Sequence, residues 1–250
     1  AIMGKATREA YGNALARIGK ENTNIIVLDA DLSKSTKTDT FKAVCPERFF
    51  NVGIAEQNLI SVGAGLAAAG KIPFVSSFSM FATGRAFEQI RNAVCYPKLN
   101  VKVCATHAGI TVGEDGATHQ SLEDISCMRT LPNMTVVVPA DERETEAVIE
   151  WAASYNGPVY VRLGRAGVDD VTAEGYTFVP GKSTTLVEGS DVTIIGCGAL
   201  VGPAVEAAKT LAESNVSVRV INMASIKPID ADAIVKAATE TGAIVTAEEH

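Results

Sequence analysis

The stretch Ile25-Ile26-Val27-Leu28 is short and wholly apolar, and it decides the fold. Such a run predicts a strand buried on both faces, because a strand with one wet face would alternate apolar and polar residues. Helical spacing of Tyr11, Leu15 and Ile18 predicts a helix just before it. Further strands are predicted at Ile72–Val75, Val101–Ala105, Met134–Val138 and Val159–Val161. Helical patterns separate these strands, which is typical of an α/β fold with a parallel sheet.

The chain divides near its middle, where residues 166–185 lose all periodicity and include the turn signal Pro180-Gly181. We predict a first domain at residues 1–165, a linker at 166–185 and a smaller α/β unit at 186–250. The second unit has predicted strands at Val192–Ile195, at Val216–Ile221 and from Ile244 onward. Three strands are few for an independent domain, so we expect this unit to be cut short.

Composition excludes several functional classes. The 250 residues carry 22 Lys and Arg against 29 Asp and Glu, a net charge of −7, which does not favour nucleic-acid binding. The sequence has no apolar run of transmembrane length and no signal peptide at its start. Its five cysteines are scattered and odd in number, which indicates free thiols rather than a disulfide framework. We therefore predict a soluble cytoplasmic protein with no nucleic-acid or membrane partner.

Two of the three histidines, His107 and His119, lie in one glycine-rich loop, residues 106–120 (THAGITVGEDGATHQ). The loop follows a predicted strand, and ligands of open α/β sheets bind at strand ends. These histidines could form a metal site with Glu114 and Asp115, but their spacing fits no regular helix or knuckle pattern. We predict no metal site here.

Two other stretches are candidate binding segments. In residues 51–58 (NVGIAEQN), Gly53 turns the chain after a strand and Glu56 falls near the start of an apolar helix. Acidic residues are common at this position for the helix dipole alone. In residues 76–81 (SSFSMF), Phe78 and Phe81 are spaced to turn the same way and could stack on a flat ring. Such a pair is more often part of the core.

Together these stretches resemble the C-terminal half of transketolases, in the thiamine diphosphate enzyme superfamily. Residues 113–120 (GEDGATHQ) are similar to the transketolase loop that lines the substrate channel. The resemblance covers nearly the whole chain. It implies a parallel-sheet pyrimidine-binding domain followed by part of the C-terminal transketolase domain, as in a split-type subunit.

The resemblance implies that Glu56 hydrogen-bonds N1′ of the aminopyrimidine of thiamine diphosphate and so promotes deprotonation of the thiazolium. Phe81, with Phe78, would stack on the pyrimidine, and Asp31 would lie near the cofactor at a subunit junction. Transketolases often have a third aromatic one turn further on, where this chain has Gly84. The pocket is then either more open than usual or closed by another side chain such as Arg85.

The resemblance also implies a substrate site for sugar phosphates. His107, Asp115 and His119 would hydrogen-bond the sugar hydroxyls and carbonyl, and both histidines would be catalytic. The sugar phosphate would be held by Arg8, Ser35 and Arg162. The expected activity is transfer of a two-carbon ketol unit between sugar phosphates, as in the pentose phosphate pathway.

A complete transketolase also has a diphosphate-binding domain with a Gly-Asp-Gly motif, which these 250 residues lack. The resemblance therefore implies that another chain holds the diphosphate and its divalent metal, Mg or Ca. The chain is expected to be either a natural split subunit or a piece of a longer protein. Self-association through the pyrimidine-binding domain is expected as well.

Three alternatives remain open. Residues 52–57 are as similar to 1-deoxy-D-xylulose-5-phosphate synthase as to transketolase, but the synthase usually has arginine where His107 stands. Beta subunits of 2-oxo-acid dehydrogenases have a helix similar to that at residues 89–92 but lack the loop with His119. A non-catalytic scaffold homologue is the third. The two loop histidines favour ketol transfer.

Overall fold

The computed structural model describes residues 4–250. The strands of the first half are β1 (Ile25–Asp29), β2 (Phe49–Asn51), β3 (Ile72–Ser76), β4 (Lys102–Ala105), β5 (Thr135–Val137) and β6 (Val159–Arg162). Those of the second half are β7 (Thr184–Val187), β8 (Val192–Gly196), β9 (Val218–Asn222), β10 (Ser225–Lys227) and β11 (Ile244–Ala247).

The helices alternate with these strands. They are α1 (Thr7–Glu21), α2 (Ser33–Thr36), α3 (Asp39–Val44), α4 (Glu56–Ala68), α5 (Phe87–Gln89), α6 (Asp124–Thr130), α7 (Glu142–Ser154), α8 (Val201–Ala212) and α9 (Ala231–Glu240). Helix α5 is short because it lies between two π-helical turns, Met80–Arg85 and Ile90–Cys95.

A seven-stranded sheet in the order β10-β5-β6-β4-β3-β1-β2 forms the centre of the first half. Six of its strands are parallel, and only β10 is antiparallel to its neighbour. Strands β1, β4, β5 and β6 are buried along their whole length, as expected for a parallel sheet covered on both faces. The predicted α/β fold is confirmed.

Helices cover the two faces of this sheet with separate apolar clusters. On one face, Leu59 of α4 and Met128 of α6 pack with the irregular helix around Ile90. On the other, Leu15 of α1 and Val148 of α7 pack with α3. Because the strands are parallel, the loops that follow β1, β2, β3, β4 and β6 all emerge at one edge of the sheet.

A four-stranded sheet in the order β11-β8-β9-β7 forms the second half, with β7 antiparallel and the others parallel. Strand β7 begins inside the predicted linker and was not predicted, because its four residues are only partly buried and carry no clear alternation. Strand β10 was not predicted either; its residues lie in the range predicted for the second unit, but it pairs with β5 of the first sheet. The domain boundaries stay a prediction.

Buried acids at the start of α7 join the two halves. The Asp141 side chain caps α7 by accepting a hydrogen bond from the Glu144 N–H at 2.9 Å, as the sequence pattern predicts. Asp141 also accepts from the backbone N–H of Thr172 at 2.7 Å and from its hydroxyl. The Glu144 carboxylate accepts from the Asn222 amide at 2.9 Å and from the Tyr176 hydroxyl at 2.7 Å. Burial raises the pKa of Glu144.

Two further expectations from the sequence concern free thiols and membrane-spanning helices. All five cysteines are free thiols, and burial raises the pKa of Cys95, Cys104 and Cys197 to about 12, so these thiols are poor nucleophiles. None of the helices described between residues 4 and 250 has the length and apolar character needed to cross a membrane.

We expect Asp141→Ala to lower the free energy of unfolding by about 3 kcal/mol or more, because it leaves several buried donors without an acceptor and removes a helix cap. Urea denaturation measures the change. Asp232→Ala is the matched control, since Asp232 also lies in the first turn of a helix but is exposed. Equal losses in the two variants would show that the Asp141 cluster does not hold the halves together.

Candidate active site

The candidate site lies at the carboxyl edge of the seven-stranded sheet. Asp31 follows β1, Glu56 follows β2, Phe78 follows β3, His107 follows β4 and Arg165 follows β6. Residues far apart in sequence therefore converge, because parallel pairing brings these strand ends together.

Glu56 is the first residue of α4, and only 1% of its surface is exposed. The preceding Ala55 offers no side chain to cap the helix, and a carboxylate at this end is favoured by the helix dipole. The Arg85 guanidinium donates from Nη1 to Glu56 Oε2 at 2.8 Å. The buried carboxylate therefore has a charged partner, as such a group requires.

An aromatic stack lies beside Glu56. The rings of Phe78 and Phe81 have centroids 6.1 Å apart and are inclined by 16°, and the His107 ring stacks on Phe78 at 3.8 Å. The His119 ring meets the Phe81 ring edge-on at 5.2 Å. Arg85 Cζ is 4.9 Å from the centroid of Phe81, so Arg85 contacts both that ring and Glu56. The structure thus groups Phe78, Phe81 and, through Arg85, Glu56 with both loop histidines.

Backbone pairing explains why Phe78 meets His107. Ser79 N donates to Thr106 O at 2.7 Å, and Thr106 N donates to Ser77 O at 3.1 Å. These bonds extend the pairing of β3 and β4 beyond the strands, so the residues that follow each strand stay side by side.

His107 is held in an unusual backbone conformation, with φ of +58°, and is 98% buried. Its Nδ1 lies 2.8 Å from Thr106 Oγ1. Burial, together with the positive charges of Arg8 and Arg165 and the neighbouring His119, lowers the pKa of His107 to about 3. The imidazole is therefore neutral near pH 7, able to donate from one ring nitrogen and accept at the other.

Arg8 and Ser35, two predicted phosphate ligands, lie together. Arg8 Nη1 donates to the backbone oxygen of Ser35 at 2.9 Å, while Arg8 Nε is buried with no hydrogen-bond partner among the described residues. Burial lowers the pKa of Arg8. A buried donor without an acceptor is costly, so Arg8 Nε is suited to an oxygen of a ligand.

Arg165 is a site residue that the sequence reasoning missed. The Gly164 N–H donates to Thr7 Oγ1 at 2.8 Å, which places the chain beside Arg165 next to the start of α1. Arg165 Nη2 pairs with Glu114 Oε2 at 2.8 Å. Arg165 stands three positions after Arg162, in the loop that follows a strand. Its position after a strand end could have been used to predict it as a site residue from the sequence.

Arg162 does not join this group directly. Its side chain is 95% buried and pairs with Asp124 Oδ2 at 2.8 Å and with Glu249 Oε1 at 3.5 Å. These ion pairs occupy Nε and Nη1, while Nη2 is buried with no hydrogen-bond partner among the described residues. Its predicted phosphate contact stays a prediction.

Asp31 and Asp115 lie at the open side of the site. Asp31 has φ of +66° and is fixed by Asn51, whose Nδ2 donates to Asp31 Oδ1 at 2.9 Å and whose Oδ1 accepts from Asp31 N at 3.0 Å. Asp115 is exposed in the loop that carries His119. Within residues 4–250 no three His, Cys, Asp or Glu side chains cluster closely enough to hold a metal ion.

Comparison with known proteins identifies the family. The sequence matches the family described as "Transketolase, pyrimidine binding domain" over residues 3–169. It matches "Transketolase, C-terminal domain" over residues 181–250. The chain belongs to the transketolase family. The resemblance drawn from the sequence is thereby confirmed.

Two of the similar proteins are described as parts of a divided transketolase. A "putative transketolase C-terminal section" from Methanocaldococcus jannaschii is 53% identical over 248 residues, covering 98% of this chain and 78% of that protein. A solved "split gene transketolase, inactive beta4 tetramer" is 58% identical with a TM-score of 0.92, covering 99% of this chain and 81% of that one. A 1-deoxy-D-xylulose-5-phosphate synthase from Desulfotalea psychrophila is 39% identical and covers 96% of this chain but 38% of the synthase.

We expect the His107 imidazole to stay neutral from pH 8 down to about pH 4, which NMR of the ring nitrogens measures. With three histidines in the chain, loss of a signal in His107→Gln assigns the resonance. The unfolded chain takes up this proton near pH 6.5. The contribution to stability is therefore complete above that pH and falls as the pH drops toward 3. A titration midpoint near 6 in the folded chain would contradict the buried, cation-flanked environment.

Proposed function

We propose that this chain is the cofactor-activating subunit of a two-chain transketolase, which transfers a two-carbon ketol unit between sugar phosphates. One observation carries the proposal: a buried glutamate at a helix start lies beside an aromatic stack that also includes the substrate-loop histidines. The family match and the split-chain relatives support it.

The residues fit the aminopyrimidine end of thiamine diphosphate. When bound, the cofactor supplies the nucleophilic carbon that takes up the two-carbon unit. Phe81, with Phe78, provides an apolar wall for the flat ring. Glu56 holds a proton at N1′ of that ring. One carboxylate oxygen, Oε2, already pairs with Arg85, so we assign the other oxygen to N1′.

The substrate residues divide into a polar and a cationic group. Neutral His107 and the partly exposed His119 orient the sugar carbonyl and hydroxyls and move protons there, with Asp115 at the channel mouth. The phosphate is held by Arg8, through its unpaired Nε, by Arg165 and by the Ser35 region. We add Arg165 to this group, because its pairing with Glu114 is exposed and such pairs are weak, and we keep Arg162 in it through its unpartnered Nη2.

The diphosphate and its Mg or Ca ion are assigned to a partner chain. The described residues supply the aromatic and carboxylate contacts for the ring but no metal-binding cluster. We infer that the isolated chain binds the cofactor weakly, since the charge-assisted contacts come from the partner. The pentose phosphate pathway in the cytoplasm is the proposed setting.

Self-association is assigned to the outer face of α4, next to Glu56. Ile54 is 77% exposed, and Phe50 and Val62 are also exposed. The small Gly65 on this face would let another helix approach closely. Phe50 lies on β2 and Ile54 just before α4, and exposed apolar residues on neighbouring elements are candidates for an interaction surface. The tetramer described for the split gene relative is in keeping with it.

We expect Val62→Asp to weaken self-association at least tenfold, because a carboxylate would be buried without a partner. Sedimentation velocity over a range of concentrations measures the shift toward monomer. Val235→Asp is the control, since Val235 is also an exposed valine but lies on α9. An unchanged assembly in Val62→Asp would remove this face from the proposal.

The decisive experiment mixes the chain with a diphosphate-binding transketolase half and assays two-carbon transfer from xylulose 5-phosphate. We expect Glu56→Gln to slow hydrogen–deuterium exchange at C2 of the bound cofactor and ketol transfer by about a hundredfold or more, because the proton at N1′ is lost. Glu142→Gln is the control, since Glu142 is likewise the first residue of a helix.

The outcomes separate the alternatives. Full turnover by Glu56→Gln would exclude the assigned role. Condensation of pyruvate with glyceraldehyde 3-phosphate in place of ketol transfer would favour the synthase activity. A complex that turns over no sugar phosphate would favour a scaffold.

A further inference from the structure

Glu249, just beyond β11, reaches from the second half into the histidine loop. It is 95% buried. Its Oε2 accepts a hydrogen bond from Thr111 Oγ1 at 2.6 Å, and its backbone oxygen accepts from Ile110 N at 3.2 Å. One residue therefore holds two consecutive positions of the loop, through its side chain and its main chain.

Gly109 makes this close approach possible. It has φ of +79°, and a Cβ there would lie 2.3 Å from Glu249 Cδ, so only glycine leaves room for the carboxylate. The Gly109 N–H donates to Ser121 O at 3.0 Å and closes the loop at its base. The segment between these two residues carries Asp115 and His119. Glu249 thus contacts the loop where its two ends meet.

A buried polar chain continues from Glu249 toward the aromatic stack. Arg162 pairs with both Glu249 and Asp124. The Tyr160 hydroxyl donates to Asp124 Oδ2 at 2.7 Å and lies 2.9 Å from Ser79 Oγ. Ser79 directly follows Phe78. The carboxylate of Glu249 is therefore linked to the base of the substrate loop and to the segment that bears the stacking ring.

We propose that Glu249 is a positioning residue through which the second half of the chain fixes the loop bearing Asp115 and His119. A 13-residue exposed loop is conformationally costly to order, and most of residues 110–120 lie at the surface. A buried, charge-paired anchor at its base holds it in one arrangement, and small displacements at a reacting centre cost rate steeply. The effect of this anchor on catalysis rests on the proposed function. The contact of Glu249 with the loop does not depend on that function.

Amide hydrogen exchange of the full chain tests the anchoring without any activity. We expect Glu249→Gln to raise exchange in residues 109–121 about tenfold or more, because a charged hydrogen-bond acceptor is lost. Thr111→Val should raise it less, since it removes one bond and leaves the Arg162 pair intact. Glu248→Gln, a partly exposed neighbour that pairs with His250, is the matched control and should leave the loop unchanged.

Unchanged loop exchange in both Glu249→Gln and Thr111→Val would overturn the proposal. If Glu249→Gln exchanges faster everywhere, its fold is lost, and Thr111→Val then decides. Faster exchange confined to the loop in Thr111→Val supports the anchor, and none contradicts it.

Kinetics of the assembled two-chain enzyme test the consequence. We expect Glu249→Gln to raise KM for the ketose phosphate several-fold while the Kd of thiamine diphosphate stays unchanged, since the loop contacts sugar rather than cofactor. A parallel loss of cofactor affinity would indicate general damage and contradict a positioning role. If the parent complex shows no ketol transfer, the proposed function fails, and the exchange measurement still judges the anchor.

Discussion

Parallel pairing of β1, β3, β4 and β6 is the constraint on which the candidate site depends. Each of these strands is paired with a neighbour on both sides, so the loop after it starts from a fixed point at one edge of the sheet. Two backbone bonds beyond β3 and β4 then place Phe78 against His107. Loops on a rigid scaffold commonly carry function, and here five of them meet.

The charges around His107 also follow from the meeting of these loops at one edge of the sheet. Arg8 from α1 and Arg165 from the end of β6 both bring positive charge near His107. That charge, added to burial, keeps the imidazole neutral and leaves the site with cationic groups suited to an anionic ligand. Glu56 is paired with a different arginine, Arg85.

Much of the fold was predictable because buried parallel strands appear in the sequence as continuous apolar runs, such as Ile25–Leu28. The grouping of Glu56 with Phe78, Phe81, His107 and His119 was predictable from motif resemblance. The sequence did not reveal β7 or β10, whose three or four residues carry no periodic signal. It also did not reveal Arg165 as a neighbour of His107, because which charges surround a side chain is a property of the folded chain. Glu249 was missed for the same reason, since its contacts join residues far apart in sequence.

Strand β10 gives the first sheet two unlike margins. Ser225–Lys227 covers β5 and forms that margin itself, with only three residues and a register shift, so it offers a short and irregular edge for pairing with another strand. The opposite margin is β2, where Phe50 is exposed beside the outer face of α4. Strand addition is thereby disfavoured at the β10 margin, as short and irregular edges generally oppose it. The apolar surface that remains exposed lies at the other margin, on the side where Glu56 begins its helix.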